Sequence, residues 1–193
     1  DVSIPVIEIE KWKSVEKSWN KTLNFLTGDF WNLSFRKTEN QYSLRTHASR
    51  IKRDISGCNV VCLFSGGLDS FCGAISLLEK GNSPCLFGHN EYPKLRTKQE
   101  NLAAMFREEY KDQTAEFLSF TANSRAPVNA MGKLGGAENT SRGRSLLFLC
   151  GALTIAGIMG ENVPVYIPEN GFIGLNIPLT DSRKGSCSTR TTH

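Results

Sequence analysis

Asn59-Val60-Val61-Cys62-Leu63-Phe64 is a continuous hydrophobic run, apolar at five successive positions with β-branched Val60 and Val61 among them. Side chains of a strand alternate between faces, so a strand apolar on both is covered on both, as in a parallel sheet between helices. The pattern on either side supports that setting. Phe71, Ala74, Ile75 and Leu78 recur at helical spacing, Gly81 is placed to close the helix, and residues 85–88 read as a second short strand. A helix over residues 95–110, a strand over 115–120, a glycine-rich loop over 121–139, a helix over 145–159 and a strand over 163–167 continue the alternation. The helix at 145–159 is apolar nearly all round and is expected to be sandwiched. Strand and helix in strict alternation predict an α/β fold with a doubly wound parallel sheet.

The first fifty-odd residues follow different periods. Ile7 and Ile9 alternate in a strand expected over residues 2–10, where Pro5 confines it to an edge or a strand start. Val15, Trp19, Leu23 and Leu26 then predict a helix over residues 15–26, with Gly28 ending it in a left-handed conformation. Trp31, Leu33 and Phe35 alternate with polar residues as a strand with one buried face does. We therefore expect a small N-terminal α+β lead-in subdomain over residues 1–56, helix plus strands, and a larger α/β domain over 57–193 that continues past His193. Trp12, Trp19 and Trp31 lie on amphipathic elements and read as packing residues.

Composition narrows the class only slightly. The 193 residues, 39% hydrophobic, suffice for one sizeable core. A net charge of +4, with basic and acidic residues interspersed, does not demand nucleic acid and leaves it open. No apolar run approaches the ~18 residues that span a bilayer, and the start lacks a basic stretch followed by an apolar one. The six cysteines fall mostly in apolar segments and form no C-x-x-C pair. Reduced thiols in a cytoplasmic protein, without zinc in this segment, are the expectation.

Chemistry concentrates in Ser65-Gly66-Gly67-Leu68-Asp69-Ser70, between the buried strand and its helix. Ligands of open α/β sheets bind beyond the carboxyl ends of the strands, where this loop falls. Gly66 and Gly67 permit positive φ and inward-turned N–H groups, Ser65 and Ser70 add hydroxyls, and the helix start adds its dipole. Such a hollow suits a phosphate chain. Asp69 would oppose phosphate unless Mg²⁺ lay between, since that ion takes one or two carboxylates along with phosphate oxygens. Mg²⁺–ATP is the expected ligand, with Leu68 packing; an ordinary serine-glycine turn is the alternative. Walker and dinucleotide patterns do not fit: Gly132-Lys133 is followed by Leu134 where Ser or Thr would bind magnesium, and no buried strand immediately precedes it.

The same loop resembles the signature of the N-type ATP pyrophosphatases, the PP-loop class. Thr140-Ser141-Arg142-Gly143-Arg144-Ser145-Leu146-Leu147-Phe148-Leu149 resembles the G-R-N-x-x-F-L stretch of 7-cyano-7-deazaguanine synthase, with Ser145 replacing the asparagine. Pro168-Glu169-Asn170-Gly171-Phe172-Ile173-Gly174-Leu175-Asn176-Ile177-Pro178-Leu179-Thr180, with residues 186–193, resembles the QueC-like proteins of bacterial anti-phage defence operons, the QatC proteins. The resemblance runs from about residue 25 onward. It implies the adenine nucleotide alpha hydrolase-like (PP-loop/HUP) fold and an ATP-dependent ligase or synthase. Such an enzyme adenylates a 7-deazapurine carboxylic acid and passes the acyl group to ammonia or another amine, including one on a protein partner from the same operon. The four zinc-binding cysteines of the housekeeping synthase do not occur before His193, so formation of a nitrile is not implied. Nor is there the paired catalytic cysteine set general among tRNA-thiolating relatives.

Residue roles follow in part from chemistry and in part from that resemblance. Ser65, Gly66, Gly67 and Ser70 would hold the β and γ phosphates, Asp69 the magnesium, and Asp69, Ser70 and Arg144 the catalytic step. Arg142 and Arg144 would pair with phosphate oxygens, or form a solvated basic helix start. His89, with Asn90, stands where the superfamily contacts adenine and ribose, or is simply a loop residue. Glu169, Asn170 and Asn176 suit the polar edge of a purine-like ring and Phe172 its face, a structured polar loop being the alternative. Arg183, Lys184 and Arg190 would neutralise the acid or the phosphates unless they are solvated, and Cys187 is a weak nucleophile candidate. A nucleotide-sensing subunit without turnover is the competing function.

Overall fold

A computed structural model describes residues 1–38, 53–90, 92–122, 128–129, 132–133 and 142–169. They fall into two compact units, one within residues 1–38 and one from residue 53 onward.

In the first unit, strands β1 (Val2–Val6) and β2 (Leu33–Lys37) pair in parallel, joined through helix α1 (Ile9–Thr27). The helix begins at Ile9 instead of continuing the expected strand to residue 10. Ile9 packs with Trp19 and Leu23 against Val6, Leu33 and Phe35, and so belongs to the helical stripe. Val15, expected in that stripe, is exposed, as is Trp12, although the Trp12 ring lies 5.2 Å from that of Phe35. Gly28 ends α1 with φ of 76°, its N–H donating to Asn24 O at 2.9 Å, the left-handed termination expected of it.

A row of polar side chains ties α1 to β2. Glu16 Oε2 accepts from Phe35 N–H at 3.1 Å, Asn20 Oδ1 from Leu33 N–H at 2.7 Å, and Asn24 Oδ1 from Trp31 N–H at 2.5 Å. Asn20 Nδ2 also donates to Leu33 O at 2.8 Å. Four residues of helix rise about 6 Å and two residues of strand slightly more, so the i, i+4, i+8 row matches alternate strand residues. The row satisfies backbone groups on the β2 edge that β1 leaves unpaired.

The second unit is an α/β layer structure. Strands β3 (Val60–Leu63), β4 (Pro84–His89) and β5 (Glu116–Phe120) alternate with helices α2 (Leu68–Glu79) and α3 (Pro93–Glu109). A hairpin of β6 (Val128–Asn129) and β7 (Gly132–Lys133) precedes α4 (Arg142–Met159) and β8 (Val165–Tyr166). The sheet order is β5-β4-β3-β8, every pair parallel, so the chain winds outward from β3 and returns to its other side. This arrangement is compatible with a Rossmann-like α/β fold.

The apolar run at β3 splits between two layers. Val60, Cys62 and Phe64 pack with Ala74, Leu77 and Leu78 of α2 and Ala103 and Phe106 of α3. Val61 faces the opposite way, with Cys85, Phe87 and the α4 residues Ala152 and Ala156. A Cβ on Gly151 would stand 2.5 Å from the Phe87 ring, so α4 reaches the sheet because glycine is there.

Several expectations need correcting. α4 is not sandwiched among the described residues: Leu147, Leu153 and Ile158 are exposed while Ala152 and Ala156 hold the sheet. Small residues on one stripe let the helix approach closely, whatever the hydrophobicity of the rest. The final strand is two residues long, shorter than the expected 163–167, and the expected loop at 121–139 contains the β6–β7 hairpin. Gly132 and Lys133 are strand residues in it, which removes any Walker reading of them. The five described cysteines form no disulfide, and Cys72 is exposed.

Candidate functional site at the carboxyl ends of the strands

The loop between β3 and α2 leaves the central part of the sheet at its carboxyl edge. Gly66 has φ of 77°, a conformation costly for any residue with a Cβ. Gly67 is extended and caps α2, and no side chain caps the helix. Gly67 N–H donates to Ser65 Oγ at 3.2 Å, Ser70 Oγ donates to Gly67 O at 3.0 Å, and the two hydroxyl oxygens stand 3.1 Å apart. Because the Ser70 proton goes to Gly67 O, the proton between the hydroxyls comes from Ser65, and the three bonds form a closed ring. Ser70 is buried within it, while Ser65 and Asp69 are exposed. Leu68 is 76% exposed and does not pack as expected; it is the first helical residue and projects away from the sheet.

A shallow cavity of about 280 Å³ adjoins the loop, lined by Gly66, Gly67, Leu68, Phe71, Lys98 and Leu102. Lys98 is thus a cation beside the loop that the sequence reading passed over. The larger hollow, about 530 Å³, lies in the first unit among Val6, Ile7, Trp12 and Val15. Its charged residues Glu8 and Lys11 pair with each other, and it offers no reactive group. The smaller one adjoins the loop that the sequence singles out.

His89 is the last residue of β4, not a residue beyond it. Its Nε2 lies 3.1 Å from Ala122 O and 3.2 Å from Ala122 N, and its ring is flanked by Phe120 at 4.9 Å and Phe148 at 5.4 Å. Asn90 is 4% exposed: Nδ2 donates to Ser119 Oγ at 3.2 Å and Oδ1 accepts from Thr121 Oγ1. The Asn90 amide therefore ties the ends of β4 and β5 together.

Phe148 belongs to the second turn of α4, so its contact with His89 brings the start of that helix to the same edge of the sheet. Arg142 and Arg144 lie in the first turn of α4; their side chains fall outside the described residues. Glu169 is exposed beyond β8, next to Pro168. A Cβ on Gly73 of α2 would stand 2.5 Å from Pro168, so the chain after β8 runs against α2 one turn from Ser70. Asn170, Phe172, Asn176, Arg183, Lys184, Cys187 and Arg190 lie outside the described residues.

The residue that sequence reasoning missed is Gln99. It is wholly buried on α3, and its Nε2 lies 3.3 Å from Phe64 O, 3.1 Å from Ser65 O and 3.2 Å from His89 O. A signal was available: Gln99 stands in register with Ala103 and Phe106, a polar residue on the apolar stripe of its helix.

No group of three or more His, Cys, Asp or Glu side chains converges among the described residues. Asp69, an exposed carboxylate beside the loop, nevertheless suits Mg²⁺, which needs only one or two protein carboxylates where phosphate completes its shell. No described helix is long and apolar enough to cross a membrane. Comparisons with protein-family models, with curated proteins and with solved structures find no match to this chain.

Proposed function

We propose that this chain is an ATP-dependent ligase or synthase of the PP-loop ATP pyrophosphatase class, built on a doubly wound sheet of that type. It adenylates a 7-deazapurine carboxylic acid and transfers the acyl group to ammonia or another amine, in an anti-phage defence setting. The observation that carries the ATP part is the start of α2. A helix leaving the central strand has no side-chain cap and is entered through a glycine at positive φ, so its first N–H groups are available to an anion.

In the reaction, a carboxylate oxygen attacks the α-phosphorus, the bond to the β-phosphate breaks, and pyrophosphate leaves with its electron pair. The amine nitrogen then attacks the acyl carbon, AMP departs, and the nitrogen loses a proton. Backbone N–H groups at the loop hold the β and γ phosphates and stabilise charge on the departing pyrophosphate. Asp69 would hold magnesium, which when bound neutralises phosphate charge. Lys98 adds a cation beside the loop. Arg142 and Arg144, on the first turn of α4, and His89, at the end of β4, belong to the same edge of the sheet. The deazapurine acid itself rests on the resemblance of the segments at residues 140–149 and 168–193.

The test is incubation of the chain with ATP, magnesium, a 7-deazaguanine carboxylic acid and an amine, with mass analysis of products. AMP, pyrophosphate and an amide are expected, and Asp69→Ala should reduce their formation about a hundredfold or more. If the acceptor is a partner protein, its intact mass rises by the acyl group. Bound but unchanged ATP after long incubation would assign the chain to nucleotide sensing instead.

A further inference from the structure

Resting on that reading of the loop, we propose that Gln99 is the positioning residue that turns the loop backbone into an anion receptor. The peptide group is planar and trans, so each carbonyl points opposite to the N–H of the next residue. Gln99 Nε2 faces Phe64 O and Ser65 O at 3.3 and 3.1 Å, from inside the α3 layer. Holding those two carbonyls inward directs the N–H groups of Ser65 and Gly66 the opposite way, toward the mouth of the loop. Neither N–H donates to a described residue, whereas Gly67 N–H is engaged by Ser65 Oγ.

The third contact, His89 O at 3.2 Å, binds the end of β4 into the same clamp. Two glycines make room for it. A Cβ on Gly66 would stand 3.1 Å from Gln99 Cγ, and one on Gly88 would stand 2.7 Å from Phe64 O and 3.1 Å from Gln99 Nε2. The assignment of the amide follows from its surroundings, since only an NH₂ group can face three carbonyl oxygens favourably. Gln99 Oε1 is buried without a described partner, so the described contacts of the amide are all made through its Nε2.

The experiment titrates the ¹⁵N-labelled chain with magnesium pyrophosphate and follows amide resonances. In the wild type, the Ser65 and Gly66 signals should move most. Gln99→Met, which keeps side-chain length but has no N–H, and Gln99→Glu, which keeps shape, should each bind about tenfold more weakly or worse. Ala156→Gly, on the opposite face of the sheet, supplies a stability loss for comparison and should leave binding unchanged. Equal weakening by Ala156→Gly, or wild-type affinity in Gln99→Met, overturns the role of Gln99 while leaving the functional reading intact. Absence of pyrophosphate and ATP binding in the wild type overturns both. Should neither Gln99 variant fold, the wild type decides: slow exchange of the Gln99 side-chain NH₂ protons is expected, and fast exchange contradicts the clamp.

Discussion

The two units secure a strand against a helix by opposite means. At β2, the helix α1 offers Glu16, Asn20 and Asn24 as a polar row that satisfies the backbone of Phe35, Leu33 and Trp31 directly. At β3, neighbouring strands satisfy the backbone on both edges, and the helices contribute apolar surface alone through Ala74, Leu78, Ala152 and Ala156. A strand with one open edge needs polar partners, whereas a strand between two others needs only cover. Among the described residues Gln99 is a wholly buried polar side chain in the covered layers, and it stands where the strands end and the loop begins.

This contrast predicts graded effects. Phe64→Ala, where the ring meets Phe106 and Phe117, should cost about 3–5 kcal/mol in denaturant unfolding. Asn20→Ala should cost about 1–3 kcal/mol, because it strands both backbone groups of Leu33. Faster hydrogen exchange at Leu33, with Val61 unchanged, would locate that loss. A Phe64→Ala cost no larger than that of Asn20→Ala would break the comparison.

Thiols sharpen it further. Burial pushes the Cys62 thiol up to about 12 from an ordinary 9.0, so folding keeps it neutral. Stability contributed by that group is complete below pH 9.0 and is lost as pH rises toward about 12, at roughly 1.4 kcal/mol per pH unit. Cys85 is also raised, first by its hydrogen bond with Cys58 and then by burial, and the same bond lowers Cys58. Residues 1–38 contain no cysteine, so alkaline loss through ionisation of the described thiols should touch the second unit and not the packing of α1 on β1 and β2. In the native protein, exposed Cys72 should be alkylated rapidly and Cys62 and Cys85 only on unfolding.

The smallest effect belongs to the end of α1. Gly28→Ala should cost about 1 kcal/mol through its positive φ, read as a shift in the unfolding midpoint.

Periodicity made β3, α2, β4, α3 and β5 legible, because each buries a face at the period its backbone imposes. It also marked residues 65–67 as a turn between β3 and α2, where Gly66 takes a positive φ. The polar row on α1 was not, because Glu16, Asn20 and Asn24 look like the solvated side of an amphipathic helix until β2 is placed beside them. The hairpin at β6 and β7 was missed because two-residue strands carry no period. Asn90 and Gln99 were recognisable as polar residues, but the hydroxyls of Ser119 and Thr121 that partner Asn90, and the backbone carbonyls that Gln99 faces, come from other elements of the fold, which composition cannot reveal.

The most direct test of the account is calorimetric titration of the chain and of Gly66→Ala with magnesium ATP. The added Cβ meets Gln99 Cγ at 3.1 Å and forces a residue with a side chain into φ of 77°. The wild type should bind ATP, and Gly66→Ala, still folded, should lose most of that affinity. Equal binding by both, or no binding by the wild type, would contradict it.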